Sequence, residues 1–337
     1  MATVLGPTAI NERKFTEWGE RGRALGLLWD TRRGTVTIPA EKIVKAQRRI
    51  ADIMTAGVVT KTGVLSLLGS LRHISTCCPP VRAFFQRLQG VAATASRYTR
   101  TVLAPPVVED LKWFQLVLQQ NTRFNGIPVD HFAHLASPTV HVHMDASNQG
   151  LCALEPSLKK YIRVQFTPAE QESFSEDMSA NSINARELQS AVLAVLLWGP
   201  TWARESAHHP VHVCFWIDNA SAVSWAQRRA SRQPLAQLYN RLLSLAEFNY
   251  SLVCTASHIP GVDNVMADAG SRAWSCNDTF YDTWTDMSNG WTQVPVSRPY
   301  DDLSRLWEWC CDNMPSLALP QPSIARTGNS GSSSLGI

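Results

Sequence analysis

The 337-residue chain has no C-x-x-C pair, no long apolar run and no basic-then-apolar leader at its start. Two of its eight cysteines form the neighbouring pair Cys77-Cys78 and two more form Cys310-Cys311, an arrangement that argues against both a zinc site and a disulfide framework. The longest apolar window, Ala191 to Trp198, falls far short of the ~20 residues of a membrane-spanning helix. Together these absences predict an intracellular protein of a reducing compartment, cytoplasmic or nuclear, neither secreted nor membrane-bound. Charged residues are also few, at 18% against 45% hydrophobic, which describes a globular protein rather than a disordered one.

The chain is long enough for two or three domains. Its net charge of +3 conceals an asymmetry. Residues 1–138 hold 18 Lys and Arg against 9 Asp and Glu, while residues 139–337 hold 13 against 19. A basic first part suits a polyanion, and an acid-rich second part suits cations.

Residues 1–38 read as a strand over Ala24–Asp30, a turn at Thr31-Arg-Arg-Gly34 and a partner strand from Thr35 to Ile38. Such a hairpin is marginal alone and requires something to pack on. From Pro39 the apolar spacing becomes helical. Ile43, Ala46, Ile50 and Ile53 mark one helix, ended by Gly57. Thr60 is placed to cap the next, with Val64, Leu67, Leu68 and Leu71 as its buried stripe. A third begins at Pro79-Pro80 and carries Phe84, Phe85 and Leu88, and a fourth spans 107–118 with Leu111, Phe114 and Leu118 inward. Residues 39–125 are thus a small helical bundle, whose Lys42, Lys45, Arg48, Arg49, Arg72, Arg82 and Arg87 fall on outer faces.

Residues 138–275 read as strands at 139–145, 149–155 and 160–166, a helix at 184–199, a strand at 211–217, helices from about 219 and at 234–249, a strand at 251–257 and a helix at 263–273. Three strands followed by alternating helices and strands predict a mixed, five-stranded sheet with flanking helices. Residues 276–337 carry little signal beyond a short amphipathic helix over Leu303–Cys311, and they end in a Gly/Ser-rich tail from Thr327. They are expected to be a partly disordered extension.

Four acids stand out. Thr139-Val-His-Val-His-Met-Asp145 and Val211-His-Val-Cys-Phe-Trp-Ile-Asp218 are apolar strands that end in carboxylates, Glu187 heads an apolar helix, and Asp268 lies in the last helix of this region. Open α/β sheets place their chemistry at strand ends. Four converging carboxylates would repel one another unless divalent cations neutralise them. Two Mg²⁺ ions about 4 Å apart can clamp the attacking and leaving oxygens of an in-line phosphoryl displacement, with Mn²⁺ as a substitute. Asp145, ending the central strand, would bridge them. Taken singly, each acid is more ordinary: a strand-terminal Asp is usually a turn residue or helix cap, and Glu187 or Asp268 a solvated acid. His141 and His143 share a strand face, where two unremarkable histidines are expected rather than a metal pair. Trp198, Trp202, Trp216 and Trp225 are expected in the core rather than stacked on bases.

The order of these motifs resembles a type 1 RNase H domain of the retroelement kind. Met144-Asp145-Ala146-Ser147 with Gly150 is similar to that family's opening motif, and Ile183-Asn184-x-x-Glu187-Leu188 to its second. Asp218-Asn219 before Ala220-Ser-Ala-Val resembles the third, and His258-x-x-Gly261-x-x-Asn264-x-x-Ala267-Asp268 with Ser271-Arg272 the fourth. The resemblance implies an RNase H-like fold in which Asp145, Glu187, Asp218 and Asp268 are metal-binding catalytic acids. It implies that His258 sits on a mobile loop assisting product release or proton transfer. The first part is similar, more loosely, to a DIRS-like retroelement reverse transcriptase. Asn11-Glu-Arg-Lys14, Leu25-Gly26-Leu27 and Ile38-Pro39-x-x-Lys42-Ile43 look like a palm end, and Leu67-Leu68-Gly69-x-Leu71 and Pro79-Pro80-x-Arg82-x-Phe84 like thumb and connection helices.

On that likeness the chain is the C-terminal part of such an enzyme: palm remnant, helical thumb and RNase H domain. Its partners would be an RNA–DNA hybrid, with the basic N-terminal half on the primer–template backbone. The expected enzyme is a metal-dependent endonuclease cutting the RNA strand. No Asp-Asp pair precedes Asn11, so a competent DNA polymerase is not expected. The chain also lacks a long Trp- and Lys-rich protrusion, for which Arg228, Arg229 and Arg232 would be weak substitutes. The alternatives are an inert nucleic-acid-binding fragment and a DNA-cutting nuclease of the same fold.

Overall fold

In the computed structural model, residues 19–130, 135–176, 182–205, 210–314 and 316–322 are described. The motif at 11–14 and the tail from Thr327 lie outside them. The chain divides into two compact units, Met1–Ala136 and Ser137–Ile337.

In the first unit a four-stranded sheet runs in the order β1 (Arg21–Ala24), β2 (Leu27–Asp30), β3 (Thr35–Thr37) and β6 (Ile127–Pro128). The expected single strand from Ala24 is instead broken in two. Leu25 and Gly26 both take positive φ, 55° and 78°, and turn β1 back antiparallel onto β2. Two consecutive residues at positive φ form the tight hairpin turn whose twist matches paired strands. The helices α1 (Ala40–Ala56), α2 (Lys61–Ile74), α3 (Phe85–Thr94) and α4 (Pro105–Gln119) build the bundle, with a small ladder of β4 (Val58–Val59) and β5 (Thr101–Val102) between loops.

Gly57 closes α1 in the left-handed conformation, and the Thr60 hydroxyl accepts from the Gly63 amide to cap α2, as the sequence predicts. The Pro79–Phe84 stretch is a 3₁₀ turn rather than the start of a long helix. It places Phe84 4.6 Å, centroid to centroid, from Trp113. Asn125 joins sheet and bundle by bonding both the amide and the carbonyl of Ile38. Two of the expected outer-face cations are tied down. Arg49 donates to the Ser66 carbonyl at 2.6 Å, and Arg87 meets Glu109 and the fully buried Asp110. Lys45, Arg48, Arg72 and Arg82 are exposed.

The second unit is a mixed α/β body around a six-stranded sheet. β7 (Val140–Ala146), β8 (Gly150–Glu155) and β9 (Lys160–Gln165) form an antiparallel meander. β10 (Val211–Ile217) and β11 (Leu252–His258) then lie parallel to β7, giving the order β11-β10-β7-β8-β9. Parallel neighbours need long crossovers. These are α5 (Pro168–Glu176) with α6 (Ile183–Glu205), and α7 (Ala220–Arg228) with α8 (Pro234–Tyr250).

The expectation of five strands is corrected by one. β12 (Thr292–Gln293) returns from the stretch read as an extension and pairs parallel with β9. The remaining helices are α9 (Val265–Arg272), α10 (Tyr281–Met287), which packs on α9, and α11 (Leu303–Asp312), which packs on α8. Trp284 of α10 is buried with Cys152, Leu154 and Ala269, with Phe280 and Trp291 packed against them, so this stretch completes the core rather than trailing from it. Helix α6 also overruns its expected end at 199 and continues through Pro200. Trp198 and Trp202, both buried with ring centroids 6.0 Å apart, carry the apolar stripe across the proline, and packing outweighs the missing amide.

All eight cysteines are free thiols. Among the described residues no helix is long and apolar enough to cross a membrane.

Candidate functional site

The site forms where the C-terminal ends of β7 and β10 meet the first turn of α6. Strand alternation puts His141, His143 and Asp145 on one face, and the parallel register sets Trp216 beside His143, so that Asp218, two residues on, falls beside Asp145. Glu187 enters from α6, and its Oε1 accepts the Ala146 amide at 3.1 Å. One carboxylate oxygen from each of Asp145, Glu187 and Asp218 lies within 4.8 Å of the others. Among the described residues no other trio of His, Cys, Asp or Glu meets that condition. The acids open into a cleft of about 610 Å³, which Asp278, Thr279 and Phe280 also line.

The electrostatics follow from this crowding. Burial, then the Ser271 hydroxyl pulling the other way, then Asp218 and Asp268, leave the Asp145 carboxyl pushed up to about 7. Glu187, only 1% exposed, is driven well above the usual carboxylate range by burial first and then by Asp145 and Asp218. Asp218 is raised by burial and by Asp268, while His258 and Arg272 oppose the shift. The carboxylates are therefore under-neutralised by the protein's own cations. The Oε2 atom of Glu187 is buried with no hydrogen-bond partner. A buried carboxylate oxygen without a donor is costly unless a cation completes it. Three hard carboxylates facing an open cleft, one with an orphaned oxygen, fit a divalent ion of the Mg²⁺ or Mn²⁺ type.

Asp268 lies beside the trio rather than within it. It stands on α9, near enough to raise the carboxyls of both Asp145 and Asp218, but it is not one of the clustered trio. Its Oδ1 instead accepts from Arg272 Nε at 2.6 Å. His258 does reach the site. It is the exposed last residue of β11 rather than part of a loop, and its Nε2 lies 3.1 Å from the Asp218 carbonyl oxygen.

The surroundings hold α9 against the sheet. Asn264 is buried and donates to the Met144 carbonyl, beside Asp145, at 2.9 Å. Ser271 bonds the Asp145 carboxylate from the same helix. At the far end of α9, Arg163 donates to the Gly270 carbonyl at 2.6 Å, with its guanidinium between the rings of Trp274 and Trp284, 4.1 and 4.3 Å from their centroids. A cation there satisfies carbonyls that the helix leaves open and complements its dipole. Gly150 and Gly270 allow the close approach: a Cβ on the first would collide with Trp274 and the Val164 carbonyl, and on the second with Cys152 and Trp284.

Asn219 accepts from the Ser221 and Ala222 amides to cap α7 and donates to Asn184 at 2.6 Å. Arg229, expected as surface basicity, is instead buried and paired with Glu247 at 2.9 Å, so it is no part of a basic grip; Arg228 and Arg232 are exposed. His141 and His143 are ordinary strand histidines. The Trp216 indole donates to His141 Nδ1 at 3.0 Å, its ring is stacked with both imidazoles, and burial lowers the His143 pKa. Trp198 and Trp202 are core residues, while Trp216 and Trp225 are partly exposed.

Sequence reasoning missed the cleft wall at 278–280, for which no local motif exists. It quoted Asn264 and Ser271 within a motif without giving them a role; a buried polar side chain on an otherwise apolar helix face was the available signal.

The site defines a class: a mixed α/β unit with a carboxylate-lined cleft suited to divalent cations. No protein-family model and no curated protein matches the sequence. Among solved structures, one described as a foamy viral protease-reverse transcriptase in complex with RNA/DNA hybrid aligns with 73% of this chain at 12% identity and a TM-score of 0.29. The chain spans about 30% of that protein's length.

Proposed function

We propose that the second unit is a metal-dependent nuclease of the RNase H type that hydrolyses the RNA strand of RNA–DNA hybrids. We propose further that the whole chain is the thumb and RNase H part of a retroelement reverse transcriptase. The observation that carries this reading is the convergence of Asp145, Glu187 and Asp218 from two adjacent strands and a crossing helix, with the Glu187 Oε2 left without a donor. The four ordered motifs that resemble retroelement RNase H point the same way.

Asp145, Glu187 and Asp218 would hold the cations, with Asp268 as the fourth acid. Bound there, the ions would supply an activated water and charge stabilisation for the departing 3′ oxygen. The protein's own groups prepare the site. Ser271 and Asn264 fix the strand that carries Asp145. His258, whose Nε2 lies beside the Asp218 carbonyl, would pass a proton to the leaving group. Asn148, Gln149 and Asn219 line the cleft and offer hydrogen bonds to 2′-hydroxyls, the groups that distinguish RNA from DNA. The exposed Lys45, Arg48, Arg72 and Arg82 of the first unit suit sequence-independent phosphate contacts.

The test is cleavage of a labelled RNA–DNA hybrid by the full chain in Mg²⁺ and in EDTA, beside Asp218→Asn. Metal-dependent RNA cleavage that the substitution abolishes supports the reading. Hybrid binding without cleavage, or preferential cutting of duplex DNA, refutes it.

A further inference from the structure

Asp268 and Arg272 lie one turn apart on α9, and their side chains meet at 2.6 Å at the edge of the acidic cleft. An acid four residues before a base is an ordinary helical pair, and on a solvated face it would matter little. This pair is partly exposed but borders the acidic cleft. Arg272 lines the cleft, its guanidinium lies 5.6 Å from the Phe280 ring, which also lines it, and it is the cation whose charge acts on both Asp145 and Asp218. Three acids are clustered and open to a cation, while the fourth is occupied by an arginine.

We infer that Arg272 is a resident counter-cation that holds Asp268 out of the metal cluster, so that a second divalent ion can be loaded only as the Asp268–Arg272 pair opens. The inference rests on the reading of the cleft as a two-cation site. It assigns Arg272 a positioning role. Paired with Asp268, it keeps the four-acid site tolerable without its full metal complement. Released, it leaves a guanidinium inside the cleft, facing the place where a phosphate must lie, and arginine is suited to phosphate because its donors form a planar fork.

Two features of the structure make the pair a hinge rather than a fixture. Arg272 is the last residue of α9, with 44% of its side chain exposed, so it can turn without disturbing the core. Asp268 is held by no side chain but Arg272 among the described contacts, whereas Asp145 and Glu187 are buried and anchored by Ser271 and the Ala146 amide. Asp145 and Glu187 are fixed, and Asp268 is the movable acid.

The experiment is a Mn²⁺ titration of the full chain, without nucleic acid, by calorimetry and by electron paramagnetic resonance, which separates lone from paired Mn²⁺. Four proteins are compared: the parent, Arg272→Gln, Asp268→Asn and the double variant, with Arg305→Gln on the exposed face of α11 as a charge control. The parent is expected to bind one ion well and the second weakly. Arg272→Gln is expected to tighten the second ion by roughly tenfold, and the double variant to bind no better than Asp268→Asn alone, because the effect requires the pair. Melting curves in EDTA establish that each variant is folded. If Arg272→Gln tightens binding equally with and without Asp268, arginine acts only through its general field and the inference is overturned. An unchanged second affinity overturns it too. If the parent binds no Mn²⁺ at all, and Asp145→Asn behaves like the parent, the metal-site reading itself has failed.

Discussion

Replacing Asp145 by Asn should make the metal-free protein more stable while removing its response to metal. The carboxyl is shifted from 3.8 to about 7, chiefly by burial, with further repulsion from Asp218 and Asp268. The folded-state pKa lies above the unfolded one, so the fold binds the extra proton between these values. Stability contributed by this group is therefore lost as pH rises from about 4 to about 7, and it stays lost above that. At about 1.4 kcal/mol per unit, the ionised group costs about 4 kcal/mol at pH 8 as an upper figure.

Asparagine keeps the shape and still accepts from Ser271, but it buries an amide with donors to satisfy, which returns about 1–2 kcal/mol. The net gain is then about 2 kcal/mol, or a rise of about 4–8 °C in the melting temperature of a unit this size. Calorimetry in EDTA at pH 8 and pH 5 is the assay. The gain should be largest at pH 8 and nearly absent at pH 5, and Mg²⁺ should stabilise the parent but not the variant. A variant less stable than its parent in EDTA at pH 8 would refute the reasoning, because the carboxylate would then be a net contributor to the fold rather than a strained group held for chemistry.

The parent's own stabilisation by Mg²⁺ should grow between pH 5 and pH 8, since protons compete for Asp145, Glu187 and Asp218, all of which are raised; equal melting shifts at both pH values would contradict this. Gly150→Ala would drive a Cβ into Trp274 and the Val164 carbonyl, and should cost about 1–3 kcal/mol in urea unfolding. Arg229→Ala would strand Glu247 in the interior beneath β11 and cost about 3–5 kcal/mol, whereas replacing both partners by apolar residues should recover most of the loss.

The meander, the crossovers and the two acid-bearing strands were legible because each is a local pattern: an apolar run ending in a carboxylate, a helical stripe, a cap such as Thr60. So was the convergence of Asp145, Glu187 and Asp218, since strand alternation and the crossover rule place strand ends together. The rest was set by partners distant in sequence. Leu25-Gly26 reads as the middle of an apolar strand, and only pairing of β1 with β2 shows the turn. Pro200 signals a helix end locally, but the burial of Trp202 overrides it. Arg229 is a surface residue by composition and a core residue by its contact with Glu247. Asp268 sits where the spacing expects it, yet its side chain answers to Arg272, a neighbour whose competing claim no spacing rule weighs.

The Arg163 clamp has a practical consequence for where the second unit stops. The last recognisable motif ends near Arg272, and trimming the chain just after it would look harmless. That cut would remove Trp274 and Trp284, the two rings that flank the guanidinium, along with the β12 edge and the 278–280 part of the cleft lining. Arg163 would then lose both rings, and the helix that bears Asp268 and Arg272 would lose its backing. The working boundary of this unit is drawn by tryptophan packing, not by its acidic residues.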